Sequence, residues 1–270
     1  MGRNETSITD RHFDMLTILR VPTCVNHATV QSALRYLTPK GLRRLWVVTP
    51  AKWVARVARI WPHVWVVGED QAAAGVDRAV VEHLLNSSGF NMQANSSRVV
   101  AGRSTPGWYL VQAINLAFVL RDDVLDTLLV HDADMVVLPS YEVHAPGVFV
   151  FEGVKRPRIA VKVGGLVSVE QYSFAHHCLT GDRMLYHGLS NKQLRSPYSA
   201  SIRHRQTGSF VTHSYTVFRP FVRKMLDRFE ASLSRHHIAA ATRPSPAARV
   251  LWLQAVIGCL NQERPDYGFG

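Results

Sequence analysis

Cysteine is scarce in this chain of 270 residues, which contains only Cys24, Cys178 and Cys259. The three are widely spaced and form no C-x-x-C pair, so the pattern argues against a disulfide framework and against a structural zinc site. We expect all three to be small buried hydrophobic residues.

Long apolar runs are also missing. No segment approaches the roughly 18 consecutive apolar residues of a membrane span, and the polar residues 1–14 lack the apolar stretch of a signal peptide. We therefore expect no transmembrane segment in this chain. We expect a cytoplasmic location, with the Golgi lumen as the alternative if the chain is the catalytic part of a longer one. The sequence does not indicate an oligomeric state.

Several catalytic and binding signatures are absent from the sequence. It contains no G-x-x-x-x-G-K-[ST], G-x-G-x-x-G, G-x-S-x-G or H-E-x-x-H, so P-loop, Rossmann-fingerprint, α/β-hydrolase and zincin interpretations lack their motifs. The Arg and Lys residues are scattered, and no RRM or zinc-finger signature occurs. These absences count against a nucleic-acid partner.

Acidic residues are few, and their distribution is uneven. The chain has 31 Lys+Arg and 20 Asp+Glu, a formal net charge of +11. Residues 1–135 contain 14 basic and 12 acidic residues, and residues 136–270 contain 17 and 8. The second half should therefore meet an anionic partner. Because 47% of the residues are hydrophobic, we expect one globular domain over residues 1–270.

Short apolar runs alternate with segments of helical spacing in the first half. Residues 15–21, 45–49 and 64–67 are typical of strands, and residues 28–36 and 52–60 of helices. This alternation predicts an α/β fold with a mostly parallel sheet covered on both faces. Ligands of such folds bind at the carboxyl ends of the strands, which singles out the polar residues that follow them: Arg20, Thr23, Glu69 and Asp70.

The later elements follow the same reasoning. Residues 86–106 are predicted to form an irregular loop, and a helix is predicted to begin near Pro106. Strands are predicted within 127–138 and at 148–151 and 159–163, and amphipathic helices at 218–233 and 247–260.

The segment His131-Asp132-Ala133-Asp134 interrupts the apolar run TLLVHDADMVVL. Carboxylates two residues apart on a continuous strand point to opposite faces, so both serve one ion only if the chain turns there. Two unpaired carboxylates between apolar runs would be costly if buried. The pattern predicts a turn that binds Mn²⁺ or Mg²⁺ through its carboxylates, or else an exposed acidic turn.

The sequence resembles the GT-A nucleotide-sugar glycosyltransferases, which carry a D-x-D motif after a hydrophobic strand. More narrowly, it is similar to a little-characterised set of bacterial and viral glycosyltransferases with a G-W-Y-L-Q-Q helix, the D-x-D strand and a terminal S-E-Y-E-x-Y-G motif. Residues 107–112 read G-W-Y-L-V-Q, and residues 209–213 read S-F-V-T-H. The terminal motif aligns at Glu263, Tyr267 and Gly268.

This resemblance implies a GT-A fold, a Rossmann-like three-layer α/β/α sandwich. Residues 1–140 would form the nucleotide-sugar-binding half and residues 141–270 the acceptor-side half. The resemblance implies Asp134 as a direct metal ligand, Asp132 as a ligand of the metal or the ribose, and His213 as a third ligand. The implied cofactor is Mn²⁺ or Mg²⁺.

Further roles are expected by position. Gln112 and Asn115 share one helix face and could hydrogen-bond the donor, and Trp108 could stack on a base or sugar. Basic residues such as Arg203 and Arg205 could stabilise the diphosphate. If transfer inverts the sugar, a carboxylate must activate the acceptor, and the candidates are, in order of preference, Glu263 and Asp266, then Glu152 and Asp182.

The implied function is transfer of a sugar from a UDP- or GDP-sugar to a hydroxyl acceptor by a metal-dependent glycosyltransferase. Two alternatives stay open: a sugar nucleotidyltransferase of related fold and a basic nucleic-acid-binding protein. The first should carry a Gly-rich basic loop after the first strand, whereas residues 22–26 read P-T-C-V-N here.

Overall fold

The computed structural model describes residues 12–88, 104–140, 148–151, 154–157, 179, 214–235 and 250–261. The described chain divides into two compact units. The first draws on residues 1–73, 115–160 and 213–222, and the second on residues 74–114, 161–212 and 223–270.

The elements follow in chain order: β1 (Phe13–Ile18), α1 (Cys24–Leu37), β2 (Leu42–Thr49), α2 (Val54–Ile60), β3 (Trp65–Gly68), α3 (Arg78–Ser87), α4 (Thr105–Ala117), β4 (Thr127–His131), β5 (Val148–Phe151), β6 (Val154–Pro157), β7 (Ser214–Phe218), α5 (Arg219–Arg235) and α6 (Leu251–Asn261). No helix in this described part of the chain is long and apolar enough to cross a membrane.

The first unit is built on a five-stranded sheet with the order β3-β2-β1-β4-β7. Strands β1 to β4 pair in parallel, and β7 runs antiparallel to β4. Strands β5 and β6 form a separate antiparallel pair. The predicted α/β class with a mostly parallel central sheet is confirmed, and the arrangement is compatible with a Rossmann-like fold.

Both faces of the central strands are buried, as their continuous apolar runs predict. Successive side chains of a strand point to opposite faces, and Met15 and Leu16 of β1 are both 0% exposed. Val47 and Val48 of β2 are also fully buried. These central strands therefore lie inside the unit, and their polar side chains can reach a ligand mainly at the strand ends.

Several element boundaries differ from the prediction. Strand β1 ends at Ile18 rather than at residue 21, and α1 begins at Cys24 rather than at residue 28. The early helix start has a local cause, because Thr23 and Asn26 form a reciprocal capping box. Strand β7 and helix α3 were not predicted. The predicted strand at 159–163 and most of the predicted loop at 86–106 lie outside the described residues.

The cysteine prediction was wrong at two positions. Cys24 is an exposed free thiol, because it occupies the first position of α1. Cys259 is buried as expected but disulfide-bonded, and it packs with Leu233 and Ala255 in the second unit. Spacing along the sequence carries no record of which thiols meet in space, so the bond could not be anticipated.

A buried carboxylate ties three parts of the first unit together. Asp14 of β1 is 0% exposed and accepts hydrogen bonds from Arg43 Nε at 2.9 Å and Arg43 Nη2 at 2.6 Å. Its Oδ2 also accepts from Trp46 Nε1 at 3.3 Å and from the backbone N–H of Leu125 at 2.9 Å. Strands β1 and β2 and the segment that leads into β4 are thus joined at the amino end of the sheet.

Replacing this carboxylate should destabilise the fold. In Asp14→Asn, the NH₂ group of the amide must face at least one of these donors, from which it cannot accept a hydrogen bond. The substitution also removes the negative charge that pairs with Arg43. We expect the free energy of unfolding to fall by about 3 kcal/mol, measured by urea denaturation. Asp123→Asn, at an exposed pair with Arg121, should cost less than about 1 kcal/mol. Equal losses in the two variants would refute the central role of Asp14.

Candidate functional site

The strand order places a topological switch point at the carboxyl ends of β1 and β4. From β1 the chain moves outward to β2 and β3, then returns to the other side of β1 to form β4. Such a reversal is where open α/β sheets bind their ligands. Leu16 lies opposite Val130 in the last pair of this ladder, and Ile18 and Asp132 each come two residues after that pair. The residues that follow both strands therefore meet at this edge.

The D-x-D segment forms the predicted turn directly after β4. The backbone N–H of Met135 donates to the carbonyl of Asp132 at 3.2 Å, which closes a four-residue turn. The buried His131 Nε2 donates to the carbonyl of Met135 at 3.0 Å. Asp132 is half-buried and Asp134 is exposed. The turn therefore carries both carboxylates without burying either one completely.

Helix α1 holds this turn through the carbonyl between the two carboxylates. Asn26 Nδ2 donates to the carbonyl of Ala133 at 2.7 Å, and Thr29 Oγ1 donates to the same oxygen at 2.9 Å. Farther along, the backbone N–H of Val137 donates to Ser32 Oγ at 3.0 Å. The segment after β4 is thus fastened along α1 by neutral hydrogen bonds.

The donor set fits a hard divalent cation. The Ala133 carbonyl already accepts two hydrogen bonds, so a metal at this turn would be bound through the carboxylate oxygens of Asp132 and Asp134. One or two carboxylates, completed by water and phosphate oxygens, are a common protein environment of Mg²⁺. Within the described ranges, no three His, Cys, Asp or Glu side chains form a group that could hold a metal ion. The predicted third ligand, His213, lies outside those ranges.

Tyr215 of β7 is a neighbour of this turn that the sequence analysis missed. It pairs with Val130, two residues before Asp132. Burial raises the pKa of the Tyr215 phenol, and the negative charge of Asp132 raises it further. The phenol therefore stays protonated across the physiological range and remains a hydrogen-bond donor beside the carboxylate.

Arg20 and Thr23 lie between β1 and α1 at the same edge. Arg20 is exposed, as an anion-binding residue must be. Thr23 caps α1: its Oγ1 accepts from the backbone N–H of Asn26 at 3.2 Å and donates to Asn26 Oδ1 at 2.8 Å. Its hydroxyl is thus engaged both as donor and as acceptor. Substrate contact by either residue stays a prediction.

Glu69 and Asp70 form a short turn after β3, also at the carboxyl edge. Glu69 is half-buried and Asp70 is exposed. Strand β3 lies three positions from β4, so these acids are about 14 Å from the D-x-D turn across the sheet. Only an extended ligand could contact both places, and ligand binding by Glu69 and Asp70 stays a prediction.

Trp108, Gln112 and Asn115 all lie on α4, as predicted. Gln112 is exposed, whereas Trp108 and Asn115 are half-buried. Trp108 and Gln112 belong to the second unit and Asn115 to the first. Their contacts with a donor stay predictions.

The remaining predicted site residues lie outside the described residues. They are the third metal ligand His213, the candidate bases Glu263 and Asp266 with the reserve candidates Glu152 and Asp182, and the cations Arg203 and Arg205.

Asn26, Thr29 and Tyr215 complete the set of residues that the structure brings to the turn. A partial signal for Asn26 was present, because Thr23 and Asn26 have the spacing of a capping box. Nothing in the sequence links α1 to residue 133, which lies more than 100 positions away. Tyr215 escaped notice because β7 was not predicted.

No known protein-family profile matches the chain, and no curated protein sequence is significantly similar to it. The site must therefore be interpreted from its own geometry.

The environment of Tyr215 can be tested by alkaline titration. Phenolate absorbance, compared between wild type and Tyr215→Phe, should show that the lost phenol ionises above the ordinary value of about 10. Asp132→Asn should lower the pKa of Tyr215, because a nearby negative charge disfavours the phenolate. Asp122→Asn, at an exposed position of the connection before β4, should leave it unchanged. Identical titrations of the Asp132 and Asp122 variants would contradict the effect of the Asp132 charge on the pKa of Tyr215. Circular dichroism should show that each variant stays folded during the titration.

Proposed function

We propose that this protein is a metal-dependent glycosyltransferase of the GT-A class that transfers a sugar from a UDP- or GDP-sugar to a hydroxyl acceptor. The observation that carries the proposal is the D-x-D turn at the switch point of the sheet. It presents Asp132 and Asp134 where α/β folds bind nucleotides. The resemblance of residues 107–112 to the G-W-Y-L-Q-Q helix adds a second, sequence-based support.

The fold is consistent with this class at a coarse level. The first four strands follow the order 3-2-1-4, so a donor bound as in other open α/β sheets would lie between β1 and β4. We propose that the whole chain completes the three-layer GT-A sandwich, with an acceptor-side half after residue 140.

Each described residue then has a distinct task. Asp134 and Asp132 would hold Mn²⁺ or Mg²⁺ against the donor diphosphate. The cation would act as a Lewis acid that stabilises the charge of the departing nucleoside diphosphate. Arg20 would contact a phosphate oxygen. Helix α1 begins at this edge and has no acidic residue in its first turn, so its amino end also favours a phosphate there.

The acceptor side rests on residues beyond those described. His213 directly precedes Ser214, which pairs with His131 next to the D-x-D turn, and this adjacency supports its proposed role as third ligand. A carboxylate must accept the acceptor proton if transfer inverts the sugar, and Glu263 or Asp266 is proposed for that step. Arg203 and Arg205 are proposed to neutralise the leaving group.

The connection after β1 bears on the nucleotidyltransferase alternative. Only residues 19–23, without a glycine, join β1 to α1. A sugar nucleotidyltransferase should carry a Gly-rich basic loop there that wraps the nucleotide phosphates. The short connection favours glycosyl transfer.

Asp134→Ala should abolish the metal-dependent activity. We expect donor hydrolysis or transfer, assayed with a panel of UDP- and GDP-sugars in Mn²⁺, to fall at least about 100-fold. Binding of Mn²⁺, followed by electron paramagnetic resonance, should weaken in parallel because one of the two carboxylates is gone.

Asp122→Ala is the matched control, since it removes another exposed acid from a loop of the same unit. It should retain both activity and Mn²⁺ binding. If no nucleotide sugar binds the wild type, or if binding survives Asp134→Ala and chelation unchanged, the proposed function is wrong. Tight, salt-dependent binding of generic oligonucleotides would instead support the nucleic-acid alternative.

The disulfide at Cys259 bears on location. Disulfides persist in oxidising compartments and are rare in the cytosol, so this bond favours the Golgi lumen, the alternative location, over the cytoplasm. Alkylation of the unfolded, unreduced protein should label Cys24 and spare Cys259, as read by peptide mass spectrometry. Labelling of both residues would show that the chain matures reduced and would restore the cytoplasmic assignment.

A further inference from the structure

Two side chains of α1 hold the same backbone oxygen of the D-x-D turn. Asn26 and Thr29, three residues apart and therefore on one helix face, both donate to the carbonyl of Ala133. We propose that Asn26 and Thr29 are positioning residues that hold Asp132 and Asp134 in the arrangement required for metal binding. This inference rests on the proposed function of the turn as a metal site.

The amide of Asn26 has only one workable orientation. Its Oδ1 accepts from the backbone N–H of Thr23 at 3.0 Å and from Thr23 Oγ1 at 2.8 Å, which leaves Nδ2 to donate to Ala133. A flipped amide would lose the hydrogen bonds with the Thr23 N–H and the Ala133 carbonyl, and the side chain is only 8% exposed. Asn26 therefore couples the first turn of α1 rigidly to the turn after β4.

Thr29 adds a second, independent hold. It is 1% exposed, and its hydroxyl donates to Ala133 at 2.9 Å, with the carbonyl of Val25 as a longer second acceptor at 3.2 Å. Its own carbonyl accepts from Ser32 Oγ, which in turn accepts from the backbone N–H of Val137. The segment is thus fixed on both sides of Asp134.

This geometry matters because a metal tolerates little error in ligand placement. Carboxylates that share one ion must be held within about 0.5 Å of their working positions. Ala133 sits between them, so a shift of its peptide would move both. Hydrogen bonds from neutral side chains restrain the peptide without neutralising the charge of either acid. In metalloproteins, the loss of such supporting contacts weakens metal affinity by about 10–100-fold.

The decisive comparison is Thr29→Val against Thr29→Ser. Valine keeps the volume and branching of threonine but cannot donate, whereas serine keeps the hydroxyl. We expect the Kd of the protein for Mn²⁺, measured by electron paramagnetic resonance of the free ion, to rise about 10-fold in Thr29→Val. It should stay near the wild-type value in Thr29→Ser. Asn26→Leu should raise it further, because every polar contact of the amide is lost.

A purely structural role would lower stability without changing Mn²⁺ affinity of the folded protein. Asp77→Ala is the matched control: Asp77 Oδ1 caps α3 by accepting from the backbone N–H of Val80 at 2.8 Å, far from the turn in the chain. This variant should lose stability as a helix-cap variant does and keep its Mn²⁺ affinity. All affinities are to be measured where circular dichroism shows a folded protein.

The outcomes separate this inference from the proposed function. Wild-type binding of Mn²⁺ with equal affinity in Thr29→Val and Asn26→Leu would overturn the positioning role and leave the metal site standing. If Thr29→Val fails to fold, Asn26→Leu decides the question, because it removes the other donor to the Ala133 carbonyl. Absence of Mn²⁺ binding by the wild type would overturn the metal site, and the positioning role with it.

Discussion

The buried carboxylate of Asp14 is the interaction on which the first unit depends. One side chain with no exposure receives two hydrogen bonds from Arg43, one from Trp46 and one from the backbone of Leu125. It thereby joins β1, β2 and the approach to β4 at their amino ends. From Asp14 onward, β1 keeps one register with β2 up to the pair Ile18–Val48 and with β4 up to the pair Leu16–Val130. The tie therefore lies at the start of the paired region that leads to the D-x-D turn.

The acidic residues at the two ends of the sheet have different partners. At the amino end, three acids each form a salt bridge with an arginine and so stabilise the fold: Asp14, Asp123 and Asp126. At the carboxyl end, the backbone of the D-x-D turn is held by the neutral side chains of Asn26 and Thr29. Asp134 forms no ion pair with any residue that the structure describes. The restraints therefore act on the peptide while a carboxylate stays available to a cation, which is the division that a metal site requires.

Sequence reasoning recovered what local pattern determines. The apolar runs of β2, β3 and β4 appeared as strands, and the argument that two carboxylates two residues apart need a turn is confirmed at Asp132. It failed where the structure depends on contacts between residues that are far apart in the sequence. Asp14 stands in the run FDMLTI with nothing to mark it as buried, and its four donors come from elsewhere in the chain. The hydrogen bond from Asn26 to the Ala133 carbonyl joins residues that are 107 positions apart in the sequence. Tyr215 is placed only by the antiparallel pairing of β7.

The order of charged groups along the carboxyl edge bears on which kind of anionic partner the net charge of the chain would attract. Glu69 and Asp70 follow β3, Arg20 follows β1, and Asp132 and Asp134 follow β4. A nucleotide sugar presents hydroxyl or base donors at one end and a diphosphate farther along. An acid, an arginine and the carboxylate pair proposed to bind a metal, spread over about 14 Å, would suit the donor that we propose. A polyanion would instead meet four carboxylates along this edge and be repelled by them. The basic excess of the chain therefore does not favour a polymer at this edge, and we propose a small phosphorylated ligand there.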